Sequence, residues 1–193
     1  IARMLAEEKA SVIITARNSK ILSETVIELK NLSNSNNVWG YSSDCSLESS
    51  LLSLNNKIKS KYGTLDGLIA NIGDGRSVQD PISSTDQWNS VWNKNFNTAL
   101  FTARSFLPLL KKPNGSLLFI SSITGIETLG APVDYSTSKA ALNAFSKNLS
   151  HEIAPGIRSN VIAPGNIYFP GGSWDKKIKE NKTKILKMIK KKV

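Results

Sequence analysis

Two rhythms of apolar residues alternate along the chain. Short runs at 11–15 (Ser-Val-Ile-Ile-Thr), 65–70 (nothing polar after Asp66), 116–121 and 158–163, with a weaker one at 38–41, read as strands. Between them lie stretches with apolar positions three and four apart: 20–32 (Ile21, Leu22, Val26, Leu29), 47–62, a long one from about 85 to 110, and 135–153. Each reads as an amphipathic helix. The Asn/Ser-rich 31–37 and Pro113-Asn114-Gly115 punctuate the pattern as a loop and a turn. Strand, helix, strand, helix at this spacing predicts parallel pairing through right-handed crossovers. The expected fold class is α/β, a doubly wound parallel sheet with helices on both faces in three layers, α/β/α. Ligands of such a sheet sit beyond the carboxyl ends of the strands, which places the chemistry just after Ala16, Tyr41, Ala70, Ser121 and Ala163.

The 193 residues, 40% hydrophobic with 12 glycines, are ordinary for a globular domain and exclude a disordered or fibrous chain. A net charge of +10 would suit a binder of polyanions, but its distribution argues otherwise. Residues 175–193 hold nine lysines against Asp175 and Glu180, so +7 sits there and the preceding residues carry only +3. One cysteine, Cys45, and one histidine, His151, can form neither an internal disulfide nor a Cys/His metal cluster, so no metal is expected. No apolar run approaches the roughly 18 residues of a spanning helix. The expected location is the cytoplasm, with no nucleic-acid or membrane partner. Ile1 opens directly into a helical pattern without a cap, as in a chain whose beginning lies upstream.

The sharpest constellation is Tyr135-Ser-Thr-Ser-Lys139 at the start of a helix. Spacing i, i+4 puts phenol and ammonium on one helical face, where the cation stabilises phenolate and draws the tyrosine pKa from about 10 towards neutral. A tyrosine so tuned is a general acid or base. Alone, the pair would read as a surface contact. Here Ser122 ends a strand 13 residues upstream, so both hydroxyls can meet at one sheet edge, and Asn95 lies within the long helical region.

These residues resemble the short-chain dehydrogenase/reductase family, of the 3-oxoacyl-[acyl-carrier-protein] reductase-like kind, over essentially the whole chain. Asn95, Ser122, Tyr135 and Lys139 fall on the family's catalytic tetrad. Asn71-Ile72-Gly73 matches its N-A-G strand-end motif, Asp44-Cys45-Ser46 the segment that meets the adenine ring, and Pro164-Gly165 the turn beside the nicotinamide. The resemblance implies a Rossmann-like fold read as one NAD(P)-binding domain over 1–193, with 166–193 as a substrate loop and lid. It implies an NAD(P)(H)-dependent oxidoreductase that interconverts a carbonyl and a secondary alcohol. Tyr135 would exchange the proton and Ser122 would hold the substrate oxygen. Lys139 would hold the cofactor ribose, and Asn95 would anchor a water of the proton relay. The competing class is a non-catalytic interaction protein on the same fold with a basic C-terminal arm, and the intact tetrad argues against it.

Cofactor choice rests on Ala16-Arg17: no acid stands there to accept ribose hydroxyls, and Arg17 offers a fork for a 2′-phosphate, which favours NADP(H) over NAD(H). The bland reading of Arg17 is a solvated loop charge. Phe169 replaces the threonine the family often carries after the Pro-Gly turn, leaving the backbone of Ile167 to meet the carboxamide. Tyr168, Phe169 and Trp174 either line a substrate pocket or, for Trp174, pack the lid onto the body. Ile178, Ile185, Leu186, Ile189 and Val193 recur among the lysines as one face of a basic amphipathic helix, read as a lid with a solvated face or as an attractor of anionic substrate. Cys45 reads as a small filler rather than a nucleophile, and His151 as facing solvent or a neighbouring subunit. The expected substrate is a small-molecule or carrier-bound carbonyl or alcohol, and the expected assembly a homodimer or homotetramer through 85–110 and 135–153. By resemblance, the family's glycine-rich turn with its first strand would precede Ile1 and its C-terminal strand would follow Val193. The chain is therefore read as a fragment truncated at both ends, inactive by itself.

Overall fold

The computed structural model describes residues 1–34, 36–78 and 80–192. Five strands form: β1 (Val12–Ala16), β2 (Val38–Ser42), β3 (Gly67–Ala70), β4 (Gly115–Ile120) and β5 (Ile157–Ile162). The helices are α1 (Ala2–Glu7), α2 (Ser19–Ser33), α3 (Glu48–Tyr62), α4 (Thr85–Trp92), α5 (Thr98–Phe106), α6 (Val133–Ile153) and α7 (Ser173–Lys192). Every strand pairing is parallel, with Val12 opposite Val38, Gly67 opposite Ser116 and Gly115 opposite Ile157. The ladder groups the strands as β1–β2 and as β3–β4–β5. Among the described residues no backbone ladder joins β1 to β3.

Side-chain direction follows the pleat. Val12 and Ile14 of β1 turn to a cluster with Ala6 of α1, Leu29 of α2 and Val38, while Ile13 between them joins Leu51, Leu54 and Ile58 of α3 and Phe106 of α5. Alternate residues of one strand thus bury against helices on opposite faces. Under β4, Leu117 and Phe119 pack with Ala99 and Ala103 of α5 and Leu142 of α6. The Phe119 ring meets Phe145 edge-on, centroids 5.6 Å apart. Among the described residues no helix is long and apolar enough to cross a membrane.

The long helical region between 85 and 110 is not one helix. A π-helical turn, Asn93–Asn97, separates α4 from α5, and a 3₁₀ turn, Leu107–Leu109, follows α5. The cause is local: the Asn95 side-chain amide donates to the Val91 carbonyl at 2.9 Å, taking the acceptor that the Asn95 backbone N–H would use in an α-helix. The basic helix α7 is also interrupted, since Asn181 leaves helical geometry (φ −155°, ψ 77°) and its apolar positions cannot form one continuous stripe. Val193 and the side chain of Ile189 lie outside the described residues.

Phe119 is fully buried and its neighbours come from two helices and a strand. Phe119→Ala is expected to lower the unfolding free energy by about 3–5 kcal/mol, as a buried Phe truncation does. Urea denaturation, with an unchanged slope against denaturant, measures it.

Candidate active site

The carboxyl ends of β3 and β4 and the first turns of α6 converge on a buried ammonium. Tyr135 and Lys139 stand one helical turn apart on α6, and Lys139 Nζ lies 5.9 Å from the centre of the Tyr135 ring. Lys139 is only 3% exposed and donates to the Ile120 carbonyl, at the end of β4, at 3.0 Å. Burial pulls the ammonium down to about 8, the direction desolvation gives a cation.

Two glycines make this approach possible. A Cβ on Gly73 would lie 2.8 Å from Asn95 Oδ1 and 3.0 Å from Lys139 Nζ. A Cβ on Gly125 would strike the backbone of Lys139 and Ala140 at 2.7–2.8 Å. Neither position tolerates a side chain without moving Lys139 or the loop.

Asn95, fully buried in the π-turn, works as a staple. Its Oδ1 accepts the Asp74 N–H at 3.0 Å and its Nδ2 donates to the Asp74 carbonyl at 2.9 Å, fixing the loop after β3. With Val91 also bonded, one acceptor lone pair of that side chain is left for a water. Beside it Asp74 forms a two-pronged pair with the exposed Arg76, whose guanidinium holds the Asp74 carboxyl below its ordinary range.

Ser122 ends the strand edge as expected, but its hydroxyl is bonded to Thr124, at 3.0 Å to Oγ1 and 3.3 Å to the N–H, rather than to Tyr135. The Tyr135 phenol has no hydrogen bond to another described residue, and its ring lies against Gly75. The loop after β5 is tied to the loop after β4 through Ile123 N–H to the Pro164 carbonyl at 2.9 Å. That bond brings Pro164 and Gly165 to the same edge as Ser122. Asn71 follows β3 directly and is exposed.

Other residues singled out by sequence stand apart from this group. Arg17 and Asp44 follow β1 and β2, in the other part of the sheet. The Asp44 carboxylate accepts from Ser46 Oγ and N–H, which with the nearby Arg17 charge hold it low. Cys45 is buried against Thr15, and desolvation raises its thiol, as suits a filler. Ile167 and Phe169 are exposed, and Tyr168 points to the lid, donating to Asp175 Oδ1 at 3.0 Å. Asp175, also bound by Lys179 and the Gly171 N–H, is drawn down to about 2, chiefly by Lys179. Trp174 carries Lys177 over its ring at 4.6 Å, and His151 pairs with Glu152 in solvent.

Sequence reasoning missed Asp134. This buried carboxylate, one residue before Tyr135, accepts from Ser77, Ser83 and the Tyr135 N–H. The one available signal was an acid in the first turn of a helix, which ordinarily reads as a helix-end charge.

The depressed Lys139 value makes a stability prediction with a definite sign. Between about 8 and 10.5 the unfolded chain keeps a proton that the folded chain has released, so this residue adds stability as pH rises through the window and costs stability below it. Lys139→Met is expected to unfold at higher denaturant than the unsubstituted protein at pH 7, by on the order of 2 kcal/mol. The two are expected to converge by about pH 10.5; denaturation midpoints at pH 7, 9 and 10.5 check it.

Known proteins resemble this chain in sequence and fold. Residues 1–179 match the short chain dehydrogenase family. The short-chain dehydrogenase/reductase SDRA of Arabidopsis thaliana is 32% identical over 162 residues, 82% of this chain; the chain spans 61% of that relative's length. RhlG of Pseudomonas aeruginosa, solved as an NADP active-site complex, superposes with a TM-score of 0.82 at 27% identity, over 94% of this chain and 71% of that one. L-sorbose reductase of Gluconobacter frateurii, complexed with NADPH and L-sorbose, gives 0.82 at 27% identity, over 93% and 68%. With the parallel sheet, the Tyr135–Lys139 turn and the glycine-lined approach of Asn95 all in place, the chain belongs to the short-chain dehydrogenase/reductase family.

Proposed function

We propose that the protein is a nicotinamide-dependent oxidoreductase that interconverts a carbonyl and a secondary alcohol, with Tyr135 as its general acid/base. One observation carries the reading: a nearly buried ammonium, Lys139, stands behind a phenol that has no hydrogen bond to another described residue, at the carboxyl end of a parallel sheet.

The residues fit a nicotinamide dinucleotide. Gly73 leaves a cradle that a Cβ would fill, and Lys139 Nζ spends one bond on Ile120 and keeps N–H groups for ribose hydroxyls. Asn71, Pro164, Gly165 and the backbone of Ile167 are the further candidates at this edge, with Asp44 and Cys45 on the adenine side. The bound cofactor would supply or accept the hydride. In the reducing direction Tyr135 would give its proton to the substrate oxygen. Ser122, released from Thr124, donates to the same oxygen. Lys139 stands behind the ring, its Nζ 5.9 Å from the ring centre, so a positive charge faces the group that gives up the proton. Asn95 supports the reaction through the loop it staples and through the one acceptor it keeps.

Arg17 after Ala16 favours NADP(H) over NAD(H), and the NADP and NADPH complexes of RhlG and L-sorbose reductase support that choice. The substrate class is a small-molecule or carrier-bound carbonyl, in keeping with a ligand edge flanked by Ile167, Tyr168 and Phe169. The assembly is a homodimer or homotetramer through α4–α5 and α6, in the cytoplasm.

Two variants of the intact protein test this. Tyr135→Phe is expected to cut kcat for carbonyl reduction by about 10³-fold or more while leaving the NADPH Kd within about twofold, since general acid catalysis contributes on that scale; near-normal kcat overturns the assignment. Arg17→Ala is expected to weaken NADPH binding by about tenfold or more and to leave NADH unchanged, the loss expected of one charged hydrogen-bonding partner. Equal losses for the two cofactors, read by fluorescence titration, would make Arg17 a loop charge.

A further inference from the structure

Asp134 is a buried carboxylate for which the proposed reaction has no use. It is 3% exposed and sits in the first turn of α6. Its Oδ2 accepts from Ser77 Oγ at 2.6 Å and from Ser83 Oγ at 3.0 Å, and its Oδ1 from the Tyr135 N–H at 2.7 Å. Gln87 Nε2 of α4 in turn donates to Ser77 Oγ at 3.1 Å. Among the described residues Asp134 forms no ion pair. An anion taken out of water without a counter-charge is costly, and here two hydroxyls, an amide and the positive end of α6 offset that cost. A surface acid at a helix start would need none of this.

The two serines belong to one segment, the loop from β3 to α4. Asn95 grips that loop at Asp74, and Asp134 grips it at Ser77 and Ser83. Between the two grips Gly75 passes the catalytic ring so closely that a Cβ there would touch Tyr135 Cζ at 3.6 Å. The loop backbone is one wall of the phenol's pocket and Lys139 stands behind the ring. One carboxylate is bonded both to that wall and to the backbone N–H of the tyrosine itself.

We propose that Asp134 is a positioning residue that latches the Ser77–Ser83 loop to the first turn of α6 and so fixes the Tyr135 ring between Gly75 and Lys139. This role rests on the general acid/base reading of Tyr135. A displacement of about 1 Å at a reacting group can cost about 10²-fold in rate, which sets the scale of the effect.

The test compares Asp134→Ala, Asp134→Asn and the double variant Ser77→Ala/Ser83→Ala, which removes the latch and keeps the carboxylate. For each, kcat and KM are measured per folded molecule well below the unfolding midpoint, together with the NADPH Kd and amide hydrogen exchange of residues 74–84. Asp134→Ala and the double variant are both expected to lose about ten- to a hundredfold in kcat with cofactor Kd within about twofold. Loop exchange is expected to rise about tenfold or more. Asp134→Asn, whose amide oxygen still accepts one hydroxyl, falls between. If Asp134→Ala does not fold, the double serine variant carries the comparison. Unchanged loop exchange overturns the latch, and raised exchange with unchanged kcat overturns the positioning role. All variants are made in the intact protein; if the unsubstituted intact protein reduces no member of a carbonyl panel, the reaction itself is overturned, and loop exchange still decides whether the latch exists.

Discussion

A cation buried beside a carbonyl is the constraint on which the rest of the site depends. Lys139 has given up nearly all its water, and its ammonium donates to the Ile120 carbonyl. Holding it there requires α6 to lie hard against the turn after β4, which Gly125 permits, and the loop after β3 to pass over the ammonium, which Gly73 permits. Because burial opposes the charged form, the lysine is poised to share charge with whatever arrives near it. The Tyr135 ring lies beside it, its centre 5.9 Å from Nζ.

That cost is met by distributing hydrogen bonds over three loops rather than over one. Asn95 binds the loop after β3, Ser121 Oγ ties the end of β4 to the Lys139 carbonyl at 3.1 Å, and Ile123 bonds to Pro164 beyond β5. Each bond joins segments distant in sequence that the parallel sheet brings to one edge. A π-turn at Asn95 is the local irregularity that frees a side chain to do this, and it sits where two helices would otherwise have been one.

Periodicity made the elements legible, because short apolar-centred strands and amphipathic helices leave distinct patterns. All five strands lie within two residues of their expected positions. The Tyr135–Lys139 pair was visible because i, i+4 spacing fixes geometry without tertiary information. Three things were hidden. The break in the long helix depends on a side chain competing for Val91's carbonyl, which no pattern encodes. Asp134 looks like an ordinary helix-end acid until Ser77 and Ser83 are seen to converge on it from more than fifty residues away. Ser122, expected to face Tyr135, instead bonds to Thr124, two residues along its own turn, a local preference that only the folded loop reveals.

The sheet itself has two kinds of cohesion. β3, β4 and β5 are joined by directional ladder bonds, so Asn71, Gly73, Ser122 and Pro164 share one hydrogen-bonded frame with α6. β1 and β2 form a separate ladder. Their tie to that frame runs through side chains, with Ile13 and Leu68 packing on the same cluster around Leu51, Ile58 and Phe106. Ladder bonds fix register, whereas apolar burial is non-directional and fixes only proximity. Tyr135 therefore sits within the hydrogen-bonded frame. Arg17 and Asp44 are held to it by apolar packing, so substitutions in the α3 core would reach those two residues before they reached Tyr135.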